Sequence, residues 1–555
     1  MTLRTVIEKH ALKNAIDHGG KANAKAVFPK IISEFPEVKN QVKEVMQQIE
    51  QTIKQVNRLG DGDQRIKLLK IDPSMLEKKK PEIRELKLEN VQGKVVMRYA
   101  PNPNAGMHIG NARAALLNDF FVKKYGGKFI LRYDDTDPKN ENKKPTKQAY
   151  KQIQNDLKWL GVEIHEIQHA SKRLTKYYSI FEELIKKSKA YICTCDSEEW
   201  KELRRTGAAC VCRSNSIYEN KRKWSMMLFG DFKQGTAVAR LKTDMKFRDP
   251  AQRDWVCFRI INKPNHPITK NKHVVWPLLD FASAVDDHDF SVTHILRGQD
   301  LVISERRQKW LYSYLHWTYP LTITYGHLGV EGAGTFSKSL MRRGIRKGKY
   351  SGWNDPQLPM IAAYERKGFQ PEAIRKMIIE AGLTGGKINI SEDMLSAYNK
   401  KIIDHDAKRY FFVKTPQRQL MKDVKQELII PNHPTNAALG ERKILVKGKV
   451  YISKEDVPFL KKTVDCRLID FANVKLIQKG KIKLSTRQEI KKEMQKIQWV
   501  SAGEKCEVIR KGKVVKGLVE ESVLKEKIGT VMQFVRYGFV RLDKKKPLTF
   551  VFAHK

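Results

Sequence analysis

The sequence has few cysteines and no long apolar run, and each shortage excludes a class of protein. Seven cysteines among 555 residues are too few for a disulfide scaffold. No stretch approaches the roughly 18 apolar residues that a membrane-spanning helix needs. The first 30 residues also lack the apolar core of a signal peptide. We therefore expect a soluble, cytoplasmic protein that has no membrane partner.

Acidic residues are also scarce relative to basic ones. The chain has 62 Asp and Glu against 106 Lys and Arg, which gives a formal charge of +44. Such a charge favours a polyanionic partner, because binding releases counterions from its phosphates. The excess is concentrated between Lys401 and Lys555, where 36 basic residues face 17 acidic ones. The C-terminal part is thus the better candidate for a nucleic-acid surface, although composition alone also fits ribosomal, chromatin or RNA-processing proteins.

The length predicts three or four domains, and the first is a helical extension. Apolar residues recur at intervals of three and four between Val38 and Val56, which predicts an amphipathic helix with Pro36 in its first turn. That helix either packs on the core of the extension or binds a partner. The run Lys78–Lys80, followed by Pro81, predicts a solvated linker to the next domain.

The pattern changes at Gly93 to that of an α/β domain. Strands are predicted at Lys94–Tyr99 and Phe129–Tyr133. Between them lie the turn Pro101–Gly106 and a helix from about His108 to Tyr125. A strand, a turn of phosphate size, a helix and a second strand together predict the opening of a parallel nucleotide-binding sheet.

The region beyond Asp404 has a different pattern. Short apolar runs such as Lys449–Ile452 and Thr549–Phe552 are separated by glycines and lysines, and only about Arg487–Gln498 has a helical period. This pattern predicts an all-β region of one or two barrels.

The turn into the first α/β helix has the composition of a phosphate site. It runs Pro101-Asn-Pro-Asn-Ala-Gly-Met-His-Ile-Gly-Asn111. Glycine lets the backbone approach a ligand closely, and free N–H groups at a helix start attract phosphates. His108 could reach a triphosphate as well. The same residues would also suit an ordinary turn with a capping asparagine. This short motif alone therefore does not distinguish a phosphate site from such a turn.

More distant segments make the assignment specific. Arg98-Tyr-Ala-Pro-Asn-Pro followed by His108-Ile-Gly-Asn111 resembles the signature of the glutamyl- and glutaminyl-tRNA synthetases, class I enzymes with a Rossmann catalytic domain. Thr335-Phe-Ser-Lys-Ser339 stands where that family has its lysine loop, with Thr335 in place of the usual first lysine. Four further segments follow in the family's order: Leu131-Arg-Tyr-Asp-Asp-Thr-Asp137, Asp280-Phe-Ala, Thr293-His-Ile-Leu-Arg-Gly298 and Gly352-Trp-Asn-Asp-Pro356.

The resemblance implies a site for ATP, accompanied by Mg²⁺. Activation is an in-line attack of a carboxylate on the α-phosphorus of ATP, so the enzyme must mainly position two anions and stabilise the developing charge. The catalytic residues implied are His108 and Lys338. Around them the resemblance implies an ATP-binding set of Pro101, Pro103, Gly106, His108, Gly110, Asn111, Ser337, Lys338 and Ser339.

The resemblance also implies a pocket for L-glutamate. Asp134 would hold the α-amino group, with Asn102 and the backbone of Ala100 beside it, and Arg98 and Arg297 would bind the carboxylates.

Arg297 decides the amino acid in this interpretation. Related glutaminyl enzymes tend to have a small uncharged residue at this position. Arginine forms a charge-assisted pair with a γ-carboxylate. A neutral amide would leave the arginine poorly paired, at a cost of a few kcal/mol. Two departures from the family pattern concern this pocket: Leu279 replaces a common tyrosine, and Gln357 a usual arginine.

Four of the cysteines form a metal-binding pattern. Cys193 and Cys195 make one C-x-C pair, and Cys210 and Cys212 make a second pair after 14 intervening residues. Four thiolates match structural, tetrahedral Zn²⁺. The alternative is four unrelated reduced thiols. Some synthetases of this group have such a site in the acceptor-binding region.

From about Gly93 to Lys555 the sequence resembles the glutamyl-tRNA synthetases of the archaeal type. Its β-rich C-terminal region resembles the anticodon-binding barrels of that type, whereas bacterial enzymes use a helical cage, and the helical N-terminal extension points to the same type. It would form glutamyl-adenylate and transfer the glutamyl group to the 3′ end of tRNA(Glu), with tRNA(Gln) left open as a second acceptor. The alternatives are a glutaminyl-tRNA synthetase, a small-molecule nucleotidylyltransferase and a non-catalytic tRNA-binding paralogue.

The predicted regions are a helical extension and linker (1–92), the first Rossmann half (93–190), an inserted zinc-bearing acceptor-stem-binding region (191–270), the second Rossmann half with the lysine loop (271–345), a helical connection (346–404) and a β-barrel anticodon-binding region (405–555).

Overall fold

The computed structural model describes residues 2–76, 85–331, 338–486, 489–491 and 493–555. The chain divides into two compact units, Met1–Glu85 and Leu86–Lys555. The linker predicted at Lys78–Lys80 lies outside the described residues. None of the described helices is long and apolar enough to cross a membrane.

The first unit consists of four helices around a core of its own. The predicted amphipathic helix is confirmed, since Val45 and Ile49 are buried on its inner face. Val42 was expected on the same face but is 44% exposed. The reason is that a separate 3₁₀ turn, Pro36–Asn40, precedes the helix and shifts its register. The helices are α1 (Leu3–Asp17), α2 (Ala24–Glu34), α3 (Val42–Val56) and α4 (Asp61–Ile71).

The second unit begins with the predicted parallel sheet, which is confirmed. The first three strands pair in parallel in the order β1-β2-β3. Helix α5 follows the turn at Pro101 and packs its apolar face on this sheet. The elements are β1 (Val96–Tyr99), α5 (Ile109–Lys124), β2 (Lys128–Tyr133), α6 (Lys147–Trp159), β3 (Glu166–His169) and α7 (Leu174–Lys186).

An antiparallel four-stranded sheet is inserted next, in the order β4-β5-β6-β7. Its core is aromatic: Trp224, Phe258 and Trp276 are all buried in it. The elements are β4 (Ala190–Cys193), α8 (Ser197–Thr206), α9 (Ile217–Phe229), β5 (Val238–Leu241), β6 (Val256–Ile260) and β7 (Val275–Pro277).

The chain then returns to the parallel sheet and completes it. The Thr293 N–H donates to the Val96 carbonyl at 2.9 Å, so the strand that follows Thr293 lies beside β1. Strand β8 in turn pairs in parallel with β9. The carboxyl ends of β1, β2 and β8 therefore open at one edge, where ligands bind in such sheets. The elements are α10 (Leu279–Asp289), β8 (His294–Gly298), α11 (Val302–Leu315), β9 (Leu321–Tyr325), β10 (Leu328–Val330), α12 (Lys338–Arg346), α13 (Ile361–Lys367), α14 (Pro371–Ala381), β11 (Ile388–Ile390) and α15 (Glu392–Ile403).

The C-terminal region forms two seven-stranded sheets, each around its own core. In each sheet the two edge strands are separated by a single residue, Phe411 in one and Gln498 in the other. The edges are thus held together by the chain, and each sheet rolls into a near-closed barrel, as predicted. The strands are β12 (Arg409–Tyr410), β13 (Phe412–Lys414), β14 (Pro416–Pro431), β15 (Glu441–Ser453), β16 (Cys466–Leu468), β17 (Asn473–Gln478), β18 (Lys481–Leu484), β19 (Lys496–Ile497), β20 (Trp499–Val500), β21 (Gly503–Arg510), β22 (Lys513–Glu520), β23 (Val531–Phe534), β24 (Gly538–Lys545) and β25 (Leu548–His554).

The helical period noted at Arg487–Gln498 was misleading. No helix occurs among the described residues of that range, and β19 lies at its end. Ile497 is buried in the barrel core and pairs with Leu468. Tertiary packing therefore overrides the local pattern here.

Gly127 enables β1 and β2 to pair closely, which gives a stability prediction. A Cβ at this position would lie 2.3 Å from the Val95 carbonyl oxygen, which accepts the Lys128 N–H at 2.8 Å. We expect Gly127→Ala to lower the free energy of unfolding by about 1–3 kcal/mol, measured by denaturant titration, because the strand must shift. Gly386→Ala is the control, since its Cβ would meet open space. Equal stability of the two variants would contradict this account.

Candidate active site

A cleft of about 630 Å³ lies at the carboxyl ends of β1, β2 and β8. The structure brings most of the predicted site residues together there. Pro103, Gly106 and Ser339 do not line the cleft, and Ser337 lies outside the described residues. The predicted residues that line it are Arg98, Ala100, Pro101, Asn102, His108, Gly110, Asn111, Asp134, Arg297 and Lys338.

One end of the cleft is formed by the start of α5. His108 is the N-cap of this helix, and its Nδ1 accepts the Asn111 N–H at 3.3 Å. The capping residue is therefore the histidine and not an asparagine. Gly110 is required here, because a Cβ would lie 3.0 Å from the His108 ring and 3.3 Å from the Leu328 carbonyl. The positive end of the helix dipole and a histidine thus face the same space, as an anion site requires.

Lys338 approaches the same end of the cleft from α12. Its Nζ donates to Asn104 Oδ1 at 3.2 Å. Burial, together with the neighbouring Arg342, lowers the pKa of Lys338 to about 8. Burial and the charge of Lys338 lower the pKa of His108 to about 4. At neutral pH the lysine is therefore charged and the histidine neutral.

Asp156 supports this loop from beneath, and the sequence analysis did not identify it. Its Oδ2 accepts the Met107 N–H at 2.7 Å, next to His108. Gly106 is packed against the same carboxylate, since a Cβ would lie 3.0 Å from Asp156 Oδ2. Gly106 thus supports the loop without lining the cleft. Burial raises the pKa of Asp156 to about 6, although the Met107 N–H opposes the shift.

Acceptor atoms gather in the middle of the cleft. Asn102 Nδ2 donates to the Asp134 carbonyl at 3.0 Å, while its buried Oδ1 has no partner among the described residues. Asp134 Oδ1 accepts from Arg132 at 3.2 Å. Burial raises the pKa of Asp134, although Arg132 opposes this. A carboxylate and a free amide oxygen together suit a cationic group such as an ammonium.

Arg98, predicted to bind a carboxylate of the amino acid, already pairs with a carboxylate of the chain. Its guanidinium makes a two-pronged pair with Asp287, with Nε–Oδ1 2.8 Å and Nη2–Oδ2 3.2 Å. Burial disfavours the charged form, but Asp287 outweighs it and the pKa of Arg98 is raised. Arg98 lines the cleft with its charge already matched.

Arg297 differs from Arg98 in its partners. It is 4% exposed, and its nitrogens donate to Gln308 Oε1 at 2.7 Å, to the Tyr319 hydroxyl at 3.2 Å and to the Leu301 carbonyl at 3.3 Å. All three acceptors are neutral, and no described carboxylate forms an ion pair with Arg297. The cleft thus contains a buried cation that lacks an anionic partner within the described chain, and such a group calls for an anionic ligand.

The two departures from the family pattern lie in different places. Leu279 lines the cleft, so the pocket wall is apolar where a tyrosine is common. Gln357 does not line it: its side chain hydrogen-bonds to Asp355 and packs on Gly512 of the C-terminal region. Gln357 therefore does not belong to the wall of the cleft.

The four predicted cysteines form one cluster in the inserted sheet. Their Sγ atoms all lie within 4.8 Å of one another. The Cys193–Cys210 and Cys195–Cys212 distances are 3.9 and 3.7 Å. Tetrahedral zinc with Zn–S bonds of about 2.3 Å implies S–S distances of about 3.8 Å. The donor set therefore fits a Zn²⁺ ion.

Polar residues behind this cluster hold it in place, and no motif in the sequence identifies them. The Tyr191 hydroxyl lies 3.7 Å from Cys210 Sγ and donates to Asp254 at 2.9 Å. The same carboxylate accepts from Arg213 at 2.9 Å, one residue after Cys212. Both cysteine turns are thus tied to one buried aspartate.

A second and larger cleft, of about 1170 Å³, lies between the two C-terminal barrels. Both barrels contribute to its wall, which includes Tyr451 and the lysines Lys449, Lys505 and Lys516. A basic groove with an aromatic side chain is suited to single-stranded nucleic acid.

Comparisons with known proteins agree with this arrangement. A family model described as tRNA synthetases class I (E and Q), catalytic domain, matches residues 94–405. Two models described as the anti-codon binding domain of the same synthetases match residues 407–493 and 496–543.

Relatives along the whole chain are similar as well. A glutamate–tRNA ligase of Pyrococcus abyssi (strain GE5 / Orsay) is 44% identical over 575 residues, covering 100% of both chains. A glutamate–tRNA ligase of Thermococcus onnurineus (strain NA1) is 44% identical over 577 residues with the same coverage. One of Methanothrix thermoacetophila is 39% identical over 565 residues, covering 100% of this chain and 99% of that one. The chain therefore belongs to the class I tRNA synthetases of the E and Q group.

Proposed function

We propose that this chain is a glutamate–tRNA ligase that uses ATP to form glutamyl-adenylate and then transfers the glutamyl group to the 3′ end of tRNA. The observation that carries the proposal is Arg297, a buried guanidinium whose described partners are all neutral, in the same cleft as a phosphate-type helix start. Full-length similarity to glutamate–tRNA ligases supports it.

ATP, with Mg²⁺ as part of the substrate, occupies the His108 end of the cleft in this proposal. The N–H groups at the start of α5 and the charged Lys338 stabilise the negative charge that develops on the α-phosphate. His108 is neutral at physiological pH and its Nδ1 accepts the Asn111 N–H, so its Nε2–H donates a hydrogen bond there. Pro101, Gly110 and Asn111 shape the surface that the nucleotide covers, and Pro103 and Gly106 belong to the turn behind it. Ser339 lies on α12, and Ser337 is proposed for the same ATP site although it lies outside the described residues.

Glutamate occupies the middle of the cleft. Asp134 and the free Asn102 Oδ1 accept from the α-ammonium group. The Ala100 backbone borders this position. Arg98 is paired with Asp287, so it helps to shape the pocket but adds little net positive charge. Arg297 binds the γ-carboxylate.

Glutaminyl-tRNA synthetase is the second candidate, and Arg297 argues against it. A side-chain amide would occupy the same volume but would leave the guanidinium without an anion. Leaving a buried charge poorly paired costs on the order of a few kcal/mol, or a factor of 10² to 10³ in specificity.

The other regions serve tRNA in this proposal. The inserted region, residues 191–270, holds a structural Zn²⁺ through Cys193, Cys195, Cys210 and Cys212 and contacts the acceptor stem. The barrels of residues 405–555 bind the anticodon of tRNA(Glu), with the basic cleft between them as part of that surface. Residues 93–190 and 271–345 form the two catalytic halves, 346–404 connect them to the barrels, and 1–92 are the extension and linker.

Aminoacylation tests the proposal directly. Purified tRNA(Glu) and tRNA(Gln) are incubated separately with ATP and with labelled glutamate or glutamine. We expect glutamate on tRNA(Glu). Glutamate on both tRNAs would make the enzyme non-discriminating, whereas glutamine on tRNA(Gln), or no charging, would overturn the proposal.

The role of Arg297 is tested by substitution. Arg297→Ala should lower kcat/KM for glutamate by on the order of 10²-fold or more, since the charge-assisted pair is lost, while KM for ATP changes by less than about threefold. The matched control is Arg65→Ala, an exposed arginine paired with Asp61 outside the cleft. Unchanged glutamate charging by Arg297→Ala would refute the pocket assignment.

The pKa of Lys338 gives a pH prediction. With a pKa near 8, the lysine is protonated below that pH and loses its charge as the pH rises through it. We therefore expect kcat/KM for ATP, measured by pyrophosphate exchange with tRNA present, to fall above about pH 8. Lys338→Arg should be slower but should lack this alkaline decline, because a guanidinium stays charged. An unaltered decline in that variant would assign it to another group.

Zinc is tested by metal analysis. We expect about one zinc ion per chain, lost in Cys212→Ser because four thiolates hold the ion. KM for tRNA should then rise more than KM for glutamate. Cys466→Ser is the control, since that thiol only donates to the Phe459 carbonyl at 3.0 Å and serine can do the same. Zinc-free wild-type protein with full charging activity would contradict the proposal.

A further inference from the structure

Gln308 has an amide whose orientation is fixed by its neighbours. It is 1% exposed, and its Nε2 donates to Ser283 Oγ at 2.7 Å and to the Asp280 carbonyl at 3.2 Å. Ser283 Oγ itself donates to the Leu279 carbonyl at 2.8 Å, so it can only accept from Gln308. The amide nitrogen therefore hydrogen-bonds to α10, and the Oε1 atom points away from that helix.

The Oε1 atom of Gln308 meets the group that selects the amino acid. It accepts from Arg297 Nη2 at 2.7 Å and from the Tyr319 hydroxyl at 2.7 Å. Burial raises the pKa of Tyr319 to about 12, although the nearby Arg297 opposes this. The phenol therefore stays protonated and acts as a donor. Gln308 thus fixes one edge of the Arg297 guanidinium without giving it a negative charge.

We propose that Gln308 is a specificity-determining positioning residue, which orients Arg297 through a neutral acceptor so that the positive charge remains available to the γ-carboxylate of the amino acid. The inference rests on the proposed function, since it concerns how the same pocket prefers glutamate. Arg98 shows the alternative in the same cleft, where the carboxylate of Asp287 orients the arginine and also balances its charge.

The neutral acceptor matters because glutamate at position 308 would have nearly the same shape. Such a side chain would form an ion pair with Arg297, while its second oxygen would take the place of the amide nitrogen that donates to the Asp280 carbonyl. It would also cancel the charge that the substrate needs and would repel the substrate carboxylate. Specificity for a carboxylate therefore requires a neutral acceptor at position 308.

Gln308→Glu tests this directly. We expect KM for glutamate to rise on the order of 10²-fold, because the ligand loses a charge-assisted partner and gains a like charge. KM for ATP should change by less than about threefold. The preference for glutamate over glutamine, as the ratio of kcat/KM values, should fall by a similar factor.

Gln299→Glu is the matched control. It adds the same charge immediately after β8, on an exposed residue that does not line the cleft. Its KM for glutamate should stay within about threefold of wild type, as is usual for a surface charge. An equal rise in both variants would overturn the inference, because a general effect of negative charge would explain it.

Gln308→Met provides a second test that introduces no charge. It removes the acceptor at similar volume, so Arg297 should lose its orientation and KM for glutamate should rise even if Gln308→Glu fails to fold. Wild-type KM for glutamate in either folded variant would overturn the inference and leave Gln308 a structural residue. Wild-type protein that charges no glutamate would instead refute the proposed function, so the two failures are distinguishable.

Discussion

The unbalanced positive charge of Arg297 is the constraint on which the amino-acid site depends. A guanidinium that is 4% exposed is costly unless something compensates it. The fold supplies three neutral acceptors and leaves the remaining compensation to a ligand. Asp134 and Asn102 provide acceptors for an ammonium group in the same cleft. Together with Arg297 they make the pocket complementary to an amino acid that has a second carboxylate.

The proposed nucleotide end of the cleft likewise combines one charged side chain with a neutral one. Lys338 is the cation there, and its burial beside Arg342 keeps the pKa low enough for its charge to depend on its surroundings. His108 contributes a neutral imidazole at a helix start that already favours anions. Asp156 holds the loop from beneath through the Met107 N–H. In the proposed function, Lys338 thus serves the phosphates and Arg297 the carboxylate, and both side chains line the same cleft.

The sequence predicted the elements whose signal is local. The strand–turn–helix–strand opening, the four-cysteine cluster and one or two C-terminal barrels were expected from spacing and composition. Ten of the site residues implied by the family resemblance line one cleft. What could not be predicted depends on contacts between distant segments. Asp287 pairs with Arg98 across 189 residues, and Asp156 reaches Met107 across 49. Gln308 lies on α11 with no motif around it. The predictions for Val42 and for Arg487–Gln498 were wrong for the opposite reason, because each relied on a local helical period. The structure has a 3₁₀ turn before Val42 and barrel packing at the end of Arg487–Gln498.

The central claim is that a buried, unbalanced Arg297 charge selects a carboxylate over an amide of the same shape. Calorimetric binding of two non-hydrolysable adenylate analogues, one glutamyl and one glutaminyl, isolates this difference from tRNA and from turnover. The account predicts that the glutamyl analogue binds more tightly by about 2–4 kcal/mol, on the order of 10² to 10³ in Kd. Equal affinity for the two analogues would contradict it.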